Sequence, residues 1–472
     1  MKPMNKRALL CSSLLTTAAL AATLSLSALM PAPIQASVSP ELQAHDDAAA
    51  DALKPFLNSA GAVQTFSTTG RLDPLNPFFQ PLGTNGRACV DCHQPGEGWS
   101  IRPDRLRLRF EMTRGLAPIF RTNDGSNSPL ADVSTVAARR RAYSMLLSKG
   151  LIRVGLPMPA NADFSLVAVD DPYHFASAAE LSMFRRPLPS TNLPFLTTVM
   201  WDGRESPKGQ SIEADLAQQA INATAGHAQG DITPTPEQVR DIVALETHIY
   251  TAQVFDYRAG FLNDGGALGG APNLATAPFY FGINDVLGDD PNGVPFDPSA
   301  MTMYGSWSNS RNRFRNREEV ARGEVLFNTK PISISNVAGL NDVLHRPIIA
   351  GTCTTCHDTP NVGNHSLPLP INIGLTDASR RTPDMPLYTL KNNTTGETVQ
   401  TTDPGRALIT GKYDDIGKFK GPILRGLASR APYFHNGSAA DLSDVVDFYD
   451  ARFGIGFTPQ EKNDLAAFLR TL

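Results

Sequence analysis

The stretch "GRACVDCHQPGEG", Gly86 to Gly98, contains a Cys-x-x-Cys-His pentad, and "GTCTTCHDTP", Gly351 to Pro360, contains a second one. The chain has 472 residues but only five cysteines. The four outside its N-terminal segment all lie in the pentads: Cys89, Cys92, Cys353 and Cys356. Two sulfurs separated by two residues can form thioethers with the vinyl groups of a haem, and the histidine that follows can bind the iron. This is the attachment pattern of a c-type haem.

Other uses of paired cysteines fit the pentads less well. An even set of cysteines in an exported protein first suggests disulfides, but each pair is followed directly by a histidine, His93 or His357. A thioredoxin-like motif needs a strand and helix context and no dedicated histidine, and a zinc site draws further ligands at close spacing. Because two pentads use every cysteine outside the N-terminal segment, the sequence predicts two covalently bound haem c groups.

The first 36 residues (1–36) have the layout of a secretory signal peptide. Three basic residues precede an apolar stretch from Ala8 to about Met30, and the small residue Ala36 precedes the expected cleavage site. A membrane anchor is the alternative, but serine and threonine interrupt the apolar stretch. The sequence therefore predicts an exported, periplasmic protein that is cleaved near Ala36.

Composition and charge narrow the range of partners. The chain is 41% hydrophobic and 19% charged, which is ordinary for a globular protein. Loss of the predicted signal peptide removes three of the 42 basic residues and none of the 46 acidic ones, so the net charge falls from −4 to −7. No polybasic run remains, which argues against nucleic acid or an anionic membrane as a partner. No later segment is apolar for long enough to span a membrane.

The organisation of the chain follows the two pentads. We interpret residues 37–65 as an N-terminal extension, 66–310 as the domain of the first haem and 311–472 as the domain of the second. Residues 261–298 are rich in Gly, Asn, Asp and Pro and are typical of a long loop. Strand-like alternation is scarce. We therefore expect a mainly α protein with two cytochrome c-like haem domains in tandem and long loops around the haems.

The C-terminal stretch "TPQEKNDLAAFLRTL" has the clearest helix signals. Thr458 is the predicted N-cap, Pro459 occupies the first turn, and Glu461 takes the reciprocal position of a capping box. The apolar stripe that this helix should bury consists of Leu465, Phe468, Leu469 and Leu472. A second helix start, with Thr and Pro before an acidic first turn, opens "TPTPEQVRDIVALETHIYTAQVF" at Thr233.

The sixth coordination position decides whether a histidine-ligated haem iron transfers electrons or performs chemistry. Methionine or histidine is expected there in a low-spin electron-transfer haem. After His357 the chain has a single methionine, Met385, and two further histidines, His365 and His435. Few residues of these types are therefore available to the second haem.

Two further motifs accompany the pentads. "MWDGRES" (Met200–Ser206) lies between them, and "KGPILRGLASRAPYFHNGSAADLSDVVDFY" (Lys420–Tyr449), with its core "APYFHNGS", follows the second. Together, the pentads and these motifs resemble those of the bacterial dihaem cytochrome c peroxidases and their MauG-like relatives. The resemblance spans most of the chain after residue 36. It implies a peroxidatic first haem, at Cys89, Cys92 and His93, and a second haem that passes electrons.

The resemblance also implies roles for single residues. Trp201 matches the tryptophan that bridges the two haems electronically, with core packing as the alternative. Arg425 and His435 match residues around the second haem, where Arg425 would neutralise a propionate. Tyr449 stands where some members carry a methionine and MauG-like members a tyrosine ligand, with packing at the end of a helix as the alternative. A phenolate is a hard anionic donor, so it favours ferric and higher oxidation states.

The predicted peroxide pocket departs from the family pattern. Cleavage of the O–O bond needs a group that takes a proton and returns it to the leaving oxygen. The peroxidases use a glutamine and a later glutamate, whereas "LAQQAINATAGHAQG" offers Gln219 and then His227. His227 is the predicted base, with a surface histidine as the alternative. His174 is a candidate switching ligand, and Asn192 is a candidate ligand of a possible calcium ion.

These inferences predict a dihaem c-type oxidoreductase that reduces hydrogen peroxide at the first haem. Electrons would be relayed from a His/Tyr-ligated second haem through Trp201, and the donor would be a small protein or a small-molecule reductant. Two alternatives stay open: a MauG-like oxidase that acts on a partner protein, and a non-enzymatic dihaem electron carrier.

Overall fold

Groups of helices follow groups of strands along the chain in the computed structural model, which describes residues 40–287, 293, 296–308, 316–365 and 369–472. The predicted signal peptide lies outside the described residues. The helices are α1 (Pro40–Asp51), α2 (Pro103–Thr113), α3 (Val136–Ala142), α4 (Ser144–Lys149), α5 (Ile212–Gly226), α6 (Pro236–His248), α7 (Ala271–Thr276), α8 (Asn316–Thr329), α9 (Ala407–Thr410), α10 (Leu442–Phe453) and α11 (Pro459–Arg470). None of these helices has the length and hydropathy needed to cross a membrane. The strands are β1 (Phe56–Leu57), β2 (Gly61–Ser67), β3 (Ile152–Leu156), β4 (Phe164–Asp170), β5 (Leu181–Arg185), β6 (Ile249–Asp256), β7 (Gly260–Phe261), β8 (Ile332–Ser335), β9 (Ile348–Gly351), β10 (Leu387–Asn392) and β11 (Thr398–Thr401).

The fold is mixed α/β, so the prediction of a mainly α protein is wrong. Helices hold 32% of the residues and strands hold 16%. The named strands pair antiparallel in the orders β1-β2-β6-β7, β11-β10-β4, β3-β5 and β8-β9. Some of these strands are not recognisable from the sequence, because a strand without an exposed face shows no alternation of polar and apolar residues. In β5, for example, all five residues are buried.

The segment that opens at Thr233 changes from helix to strand without a loop. Helix α6 begins with a capping box in which the Thr235 hydroxyl accepts the N–H of Gln238 at 3.2 Å. The helix ends at His248, and β6 starts at the next residue and pairs with β2. β-Branched and aromatic residues dominate β6, and such residues favour strands. The strand therefore depends on a partner that lies more than a hundred residues away in the sequence.

Segments assigned to different haem domains share one sheet. Strand β4 comes from residues 66–310; it pairs with β10, which in turn pairs with β11, and both of these strands come from residues 311–472. The carbonyl of Leu472 also accepts the N–H of Gln253 at 3.3 Å. By their contacts, Pro40–Leu472 form one compact unit. The domain boundaries drawn from the sequence stay predictions.

Helix α11 begins with the predicted capping box and packs against α8. The Thr458 hydroxyl accepts the N–H of Glu461 at 3.2 Å, and the Glu461 carboxylate accepts the N–H of Thr458 at 2.7 Å. The predicted stripe is buried, which confirms this helix: Leu465, Phe468, Leu469 and Leu472. Gly323 of α8 permits the close approach, since a Cβ at this position would lie 2.0 Å from the Asp464 carbonyl oxygen.

Candidate functional site

The first pentad folds as a tight turn. Residues Cys89–Asp91 form a 3₁₀ helix, and the N–H groups of Cys92 and His93 donate to the Cys89 carbonyl. Both thiols and the His93 imidazole line one cavity, called the first cavity, whose empty volume is about 1290 Å³ including its opening. Neither thiol is in a disulfide. Burial raises the pKa of both thiols to about 12, so they stay neutral.

His93 is held as a neutral imidazole. Its Nδ1 donates to the Trp99 carbonyl at 3.1 Å, and burial lowers the pKa of the ring to about 4. Histidine binds metals in this form, with one nitrogen bonded to a carbonyl and the other as the ligand. Asp91 stabilises the turn that carries His93, because its carboxylate accepts the N–H of Ala88 at 3.0 Å and pairs with Arg109.

Gln219 and His227 line the first cavity from helix α5 and its C-terminal end. Nδ1 of His227 donates to the Asp124 carboxylate at 2.5 Å, and Asp124 also pairs with the buried Arg87. Burial alone would raise the pKa of Asp124, but Arg87 and His227 lower it on balance. The carboxylate therefore stays ionised and orients the His227 ring, as a partner of a histidine base does.

Glu246 of α6 also lines the first cavity, although the sequence reasoning did not single it out. Its side chain is buried, and its Oε2 has no hydrogen-bond partner among the described residues. Burial raises the pKa of Glu246 to about 8, so the group is a neutral acid near pH 7. A sequence signal existed: Glu246 falls on the face of α6 that buries Ile242, where an unpaired acid is unusual.

The second pentad repeats the geometry of the first. Cys353–Thr355 form a 3₁₀ helix, and the N–H groups of Cys356 and His357 donate to the Cys353 carbonyl. Nδ1 of His357 donates to the Gly363 carbonyl at 2.5 Å, and burial lowers the pKa of this histidine. The two thiols and His357 line a second cavity with an empty volume of about 1700 Å³ including its opening.

Tyr449 lies in the second cavity together with His357. The centroids of the two rings are 6.4 Å apart and their planes meet at 73°. Burial raises the pKa of the Tyr449 phenol, so the free side chain is neutral. No methionine lines this cavity within the described ranges; Met385 packs instead in an apolar cluster with Met145 and Phe184.

The two spare histidines of the second cavity differ in their bonding. Both ring nitrogens of His365 have hydrogen-bond partners. Nδ1 lies 3.1 Å from the Cys356 carbonyl, and Nε2 lies 3.1 Å from the Leu369 carbonyl. His435 is buried, and neither ring nitrogen has a hydrogen-bond partner among the described residues. It stacks on Phe419 with ring centroids 4.1 Å apart. Of the two histidines, His435 is therefore the one whose ring nitrogens are not engaged by the described residues.

One wall separates the two cavities, and Trp201 is part of it. The residues that line both cavities are Arg186, Pro187, Leu188, Pro189, Trp201 and Lys420. Nε1 of Trp201 donates to the Arg186 carbonyl at 2.7 Å, and its ring centroid is 6.0 Å from that of His435. The indole is thus fixed in orientation at the boundary of the two sites. We call these six residues the shared wall.

Three predicted residues lie outside both cavities. Arg425 is buried, and its Nη1 contacts Met303 Sδ at 2.5 Å. His174 is exposed in the loop between β4 and β5. The side-chain amide of Asn192 donates to the Thr251 carbonyl and accepts the N–H of Thr251, each at 2.9 Å. Within the described residues, no group of three or more His, Cys, Asp and Glu side chains could hold a metal ion.

The residues of both cavities fit a covalently bound haem c. Each cavity joins two neutral thiols to a neutral histidine. Apolar side chains form most of the walls, as a porphyrin requires, and cationic side chains are among the lining residues. The structure thus defines a class of protein with two separate Cys-Cys-His sites on a mixed α/β scaffold.

Comparison with known proteins agrees with this class. No family model matches the chain. The cytochrome-c peroxidase IdrP1 of Pseudomonas sp. (strain SCT) is 31% identical over 140 residues, 25% of this chain and 36% of that protein. The cytochrome-c peroxidase IdrP2 of Denitromonas iodatirespirans is 32% identical over 26% of this chain and 36% of that protein. The cytochrome c551 peroxidase of Pseudomonas aeruginosa is 28% identical over 25% of this chain and 30% of that protein.

A solved structure is also similar: that of a MauG-like protein associated with microbial copper homeostasis. The match includes 77% of this chain and 88% of the chain in that structure, with 18% sequence identity and a TM-score of 0.32. The chain spans 36% of the length of the first curated relative it matches. These curated relatives are cytochrome c peroxidases, which confirms the resemblance predicted from the sequence.

Proposed function

We propose that this protein is a periplasmic dihaem c-type peroxidase. Hydrogen peroxide is reduced in the first cavity, and electrons reach it from the second cavity through Trp201. The observation that supports the proposal is the shared wall. A single fixed indole lies at the boundary of two cavities, each lined by the two cysteines and the histidine of one pentad. The peroxidase names of the curated relatives support the same chemistry.

A haem bound at each pentad supplies the redox chemistry, and side chains of this chain hold it in place. The thiols of each pentad would form the thioethers, and His93 and His357 would bind the irons. Tyr449, whose ring lies 6.4 Å from that of His357, would be a further iron ligand in the second cavity. The physiological electron donor is a small protein or a small-molecule reductant.

The side chains of the first cavity move the protons. Reduction of hydrogen peroxide consumes two electrons and two protons and yields two water molecules. His227 takes a proton from one peroxide oxygen and returns it to the oxygen that leaves, while Asp124 holds the ring through Nδ1 at 2.5 Å. Gln219, on the same cavity wall, orients the peroxide by hydrogen bonding.

A second candidate function is a MauG-like oxidase that acts on a partner protein. The observation in its favour is that Tyr449, and no methionine of the described residues, lines the second cavity. An anionic phenolate ligand lowers the reduction potential of an iron centre, which suits the storage of oxidising equivalents better than the acceptance of electrons from a high-potential donor.

Absorbance measurements on the purified holoprotein test these functions. A peroxidase oxidises a reduced small-molecule donor catalytically when hydrogen peroxide is added. A MauG-like oxidase shows a long-lived spectral change in the fully oxidised protein with little donor turnover. If peroxide changes neither the oxidised nor the previously reduced protein, both enzymatic proposals fail and the protein is an electron carrier.

Trp201→Phe tests the relay in the same assay. We expect donor oxidation to slow by about tenfold or more, which corresponds to a barrier increase of about 1.4 kcal/mol. Trp307→Phe is the matched control, because Trp307 is a core residue outside both cavities. Equal rates for Trp201→Phe and the wild type would remove Trp201 from the electron path.

A further inference from the structure

The shared wall contains two buried cationic side chains, Arg186 and Lys420, and both line both cavities. Arg186 is 4% exposed and Lys420 is 6% exposed. A third cation, Arg430, lines the second cavity beside them. We call these three residues the cation cluster.

The partners of the cation cluster are neutral. Nζ of Lys420 donates to the Thr198 carbonyl at 2.7 Å. The guanidinium of Arg186 donates to backbone carbonyls, among them those of Ile101 at 2.6 Å and Lys149 at 2.9 Å. The side chain of Arg430 likewise donates to carbonyls. Among the described residues, no ion pair within 4.0 Å includes any of the three.

The neighbouring Arg185 is a buried cation that does have carboxylate counter-ions, so it serves as a comparison. Its guanidinium lies 2.5 Å from the Asp202 carboxylate and 2.7 Å from that of Asp403. Arg186 and Lys420 are as deeply buried, but neither has a carboxylate within 4.0 Å. Glu97 acts on Arg186 only from a longer distance, and burial raises the pKa of Glu97 to about 7. Burial lowers the pKa of Lys420 to about 7 and that of Arg186 to about 10. A buried charge without a counter-ion is strongly unfavourable, so the missing anions are expected in the cavities themselves.

We propose that Lys420 and Arg186 bind the propionate carboxylates of both haems at the shared wall, with Arg430 contributing to the second haem. The inference rests on the proposed haem binding. Arg425, which the resemblance implied for a propionate, lines neither cavity, and its role there stays a prediction. A single ammonium group that faces both cavities stabilises the reduced state of both irons. The two haems are therefore coupled electrostatically through Lys420, next to the Trp201 relay.

Midpoint potentials of the holoprotein, measured by spectroelectrochemical titration, test this assignment. Lys420→Gln removes the charge from the shared wall, and we expect the potentials of both haems to shift to lower values. Lys420→Arg keeps the charge and should leave both potentials near the wild type. Lys418→Gln is the matched control, because Lys418 is two residues away, outside both cavities, and paired with Asp415 at 3.1 Å.

Unchanged potentials in Lys420→Gln, with both haems attached, would overturn the inference while the proposed function stands. If the measured mass of the wild-type protein did not include two covalently bound haems, the proposed function itself would be overturned. If Lys420→Gln does not fold, a crystal structure of the wild-type holoprotein decides. We expect Nζ of Lys420 within hydrogen-bond distance of a propionate oxygen, and an Nζ bonded only to Thr198 would contradict the inference.

Discussion

Tyr449 is a half-buried residue in a cavity that no methionine of the described residues lines. If it binds the second iron, Tyr449→Phe removes an anionic ligand and raises the midpoint potential of that haem. We expect the absorption and paramagnetic resonance spectra of the second haem to change while the first haem keeps its spectrum. Tyr433→Phe is the control, since Tyr433 lines the same cavity but its hydroxyl donates to the Leu427 carbonyl at 2.9 Å. An unaltered spectrum in Tyr449→Phe would leave His435 as the candidate ligand.

We expect the stability of the folded protein to depend on pH through Glu246. Burial raises the pKa of Glu246 from 4.5 to about 8, so the folded state binds its proton more tightly than the unfolded state. The stabilisation is complete below about pH 4.5 and is lost as the pH rises through about 8. Relative to the wild type, Glu246→Gln should gain roughly 2 to 4 kcal/mol in free energy of unfolding between pH 5 and 8.

Denaturant titrations at several pH values measure this gain. Glu237→Gln is the control, because Glu237 lies exposed on the same helix and should leave the pH dependence of stability unchanged. A difference between Glu246→Gln and the wild type that stays constant from pH 5 to 8 would show that Glu246 is ionised in the folded protein.

At the scale of the elements, the close packing of α8 against α11 depends on one small residue, Gly323. A Cβ at Gly323 would lie 2.0 Å from the Asp464 carbonyl oxygen and 2.6 Å from the Phe468 Cβ, so Gly323→Ala must push the helices apart. We expect a loss of about 3 kcal/mol or more in free energy of unfolding. Gly226→Ala in α5 is the matched control: its Cβ meets nothing within 4 Å, and the change should stabilise by up to about 1 kcal/mol. Similar effects of the two variants would disprove the close approach.

At the scale of the whole molecule, the shared sheet and the shared wall predict joint unfolding of the two haem-bearing segments. Strands β4 and β10 pair across the boundary drawn at residue 310, and Lys420 lines both cavities. Calorimetry of the holoprotein should show a single transition. Leu390→Ala in β10 creates a cavity in the buried core and should lower that whole transition, at a cost of about 2–5 kcal/mol. Two transitions, of which only one responds to Leu390→Ala, would indicate two independent domains.

The features that could be predicted from the sequence are encoded over a few adjacent residues. Each pentad places its thiols and histidine on one turn, and the capping box of Thr458 and Glu461 marks its helix within four positions. Such contacts need no distant partner, so the residue pattern alone determines them. The resemblance to the peroxidases, which the pentads and the later motifs carry together, agrees with the names of the curated relatives.

Only the tertiary structure decided the fold class, the composition of the cavity walls and the positions of Arg425 and Glu246. Strands β2 and β6 pair across a long sequence separation, and a short buried strand has no alternation to reveal it. Likewise, Arg186 and Lys420 come from distant segments and meet only at the shared wall. The sequence alone determines those parts of a site whose side chains lie on a single turn of the backbone, as in each pentad. Burial and charge balance are properties of contacts between distant segments, so they appear only when the whole chain is folded.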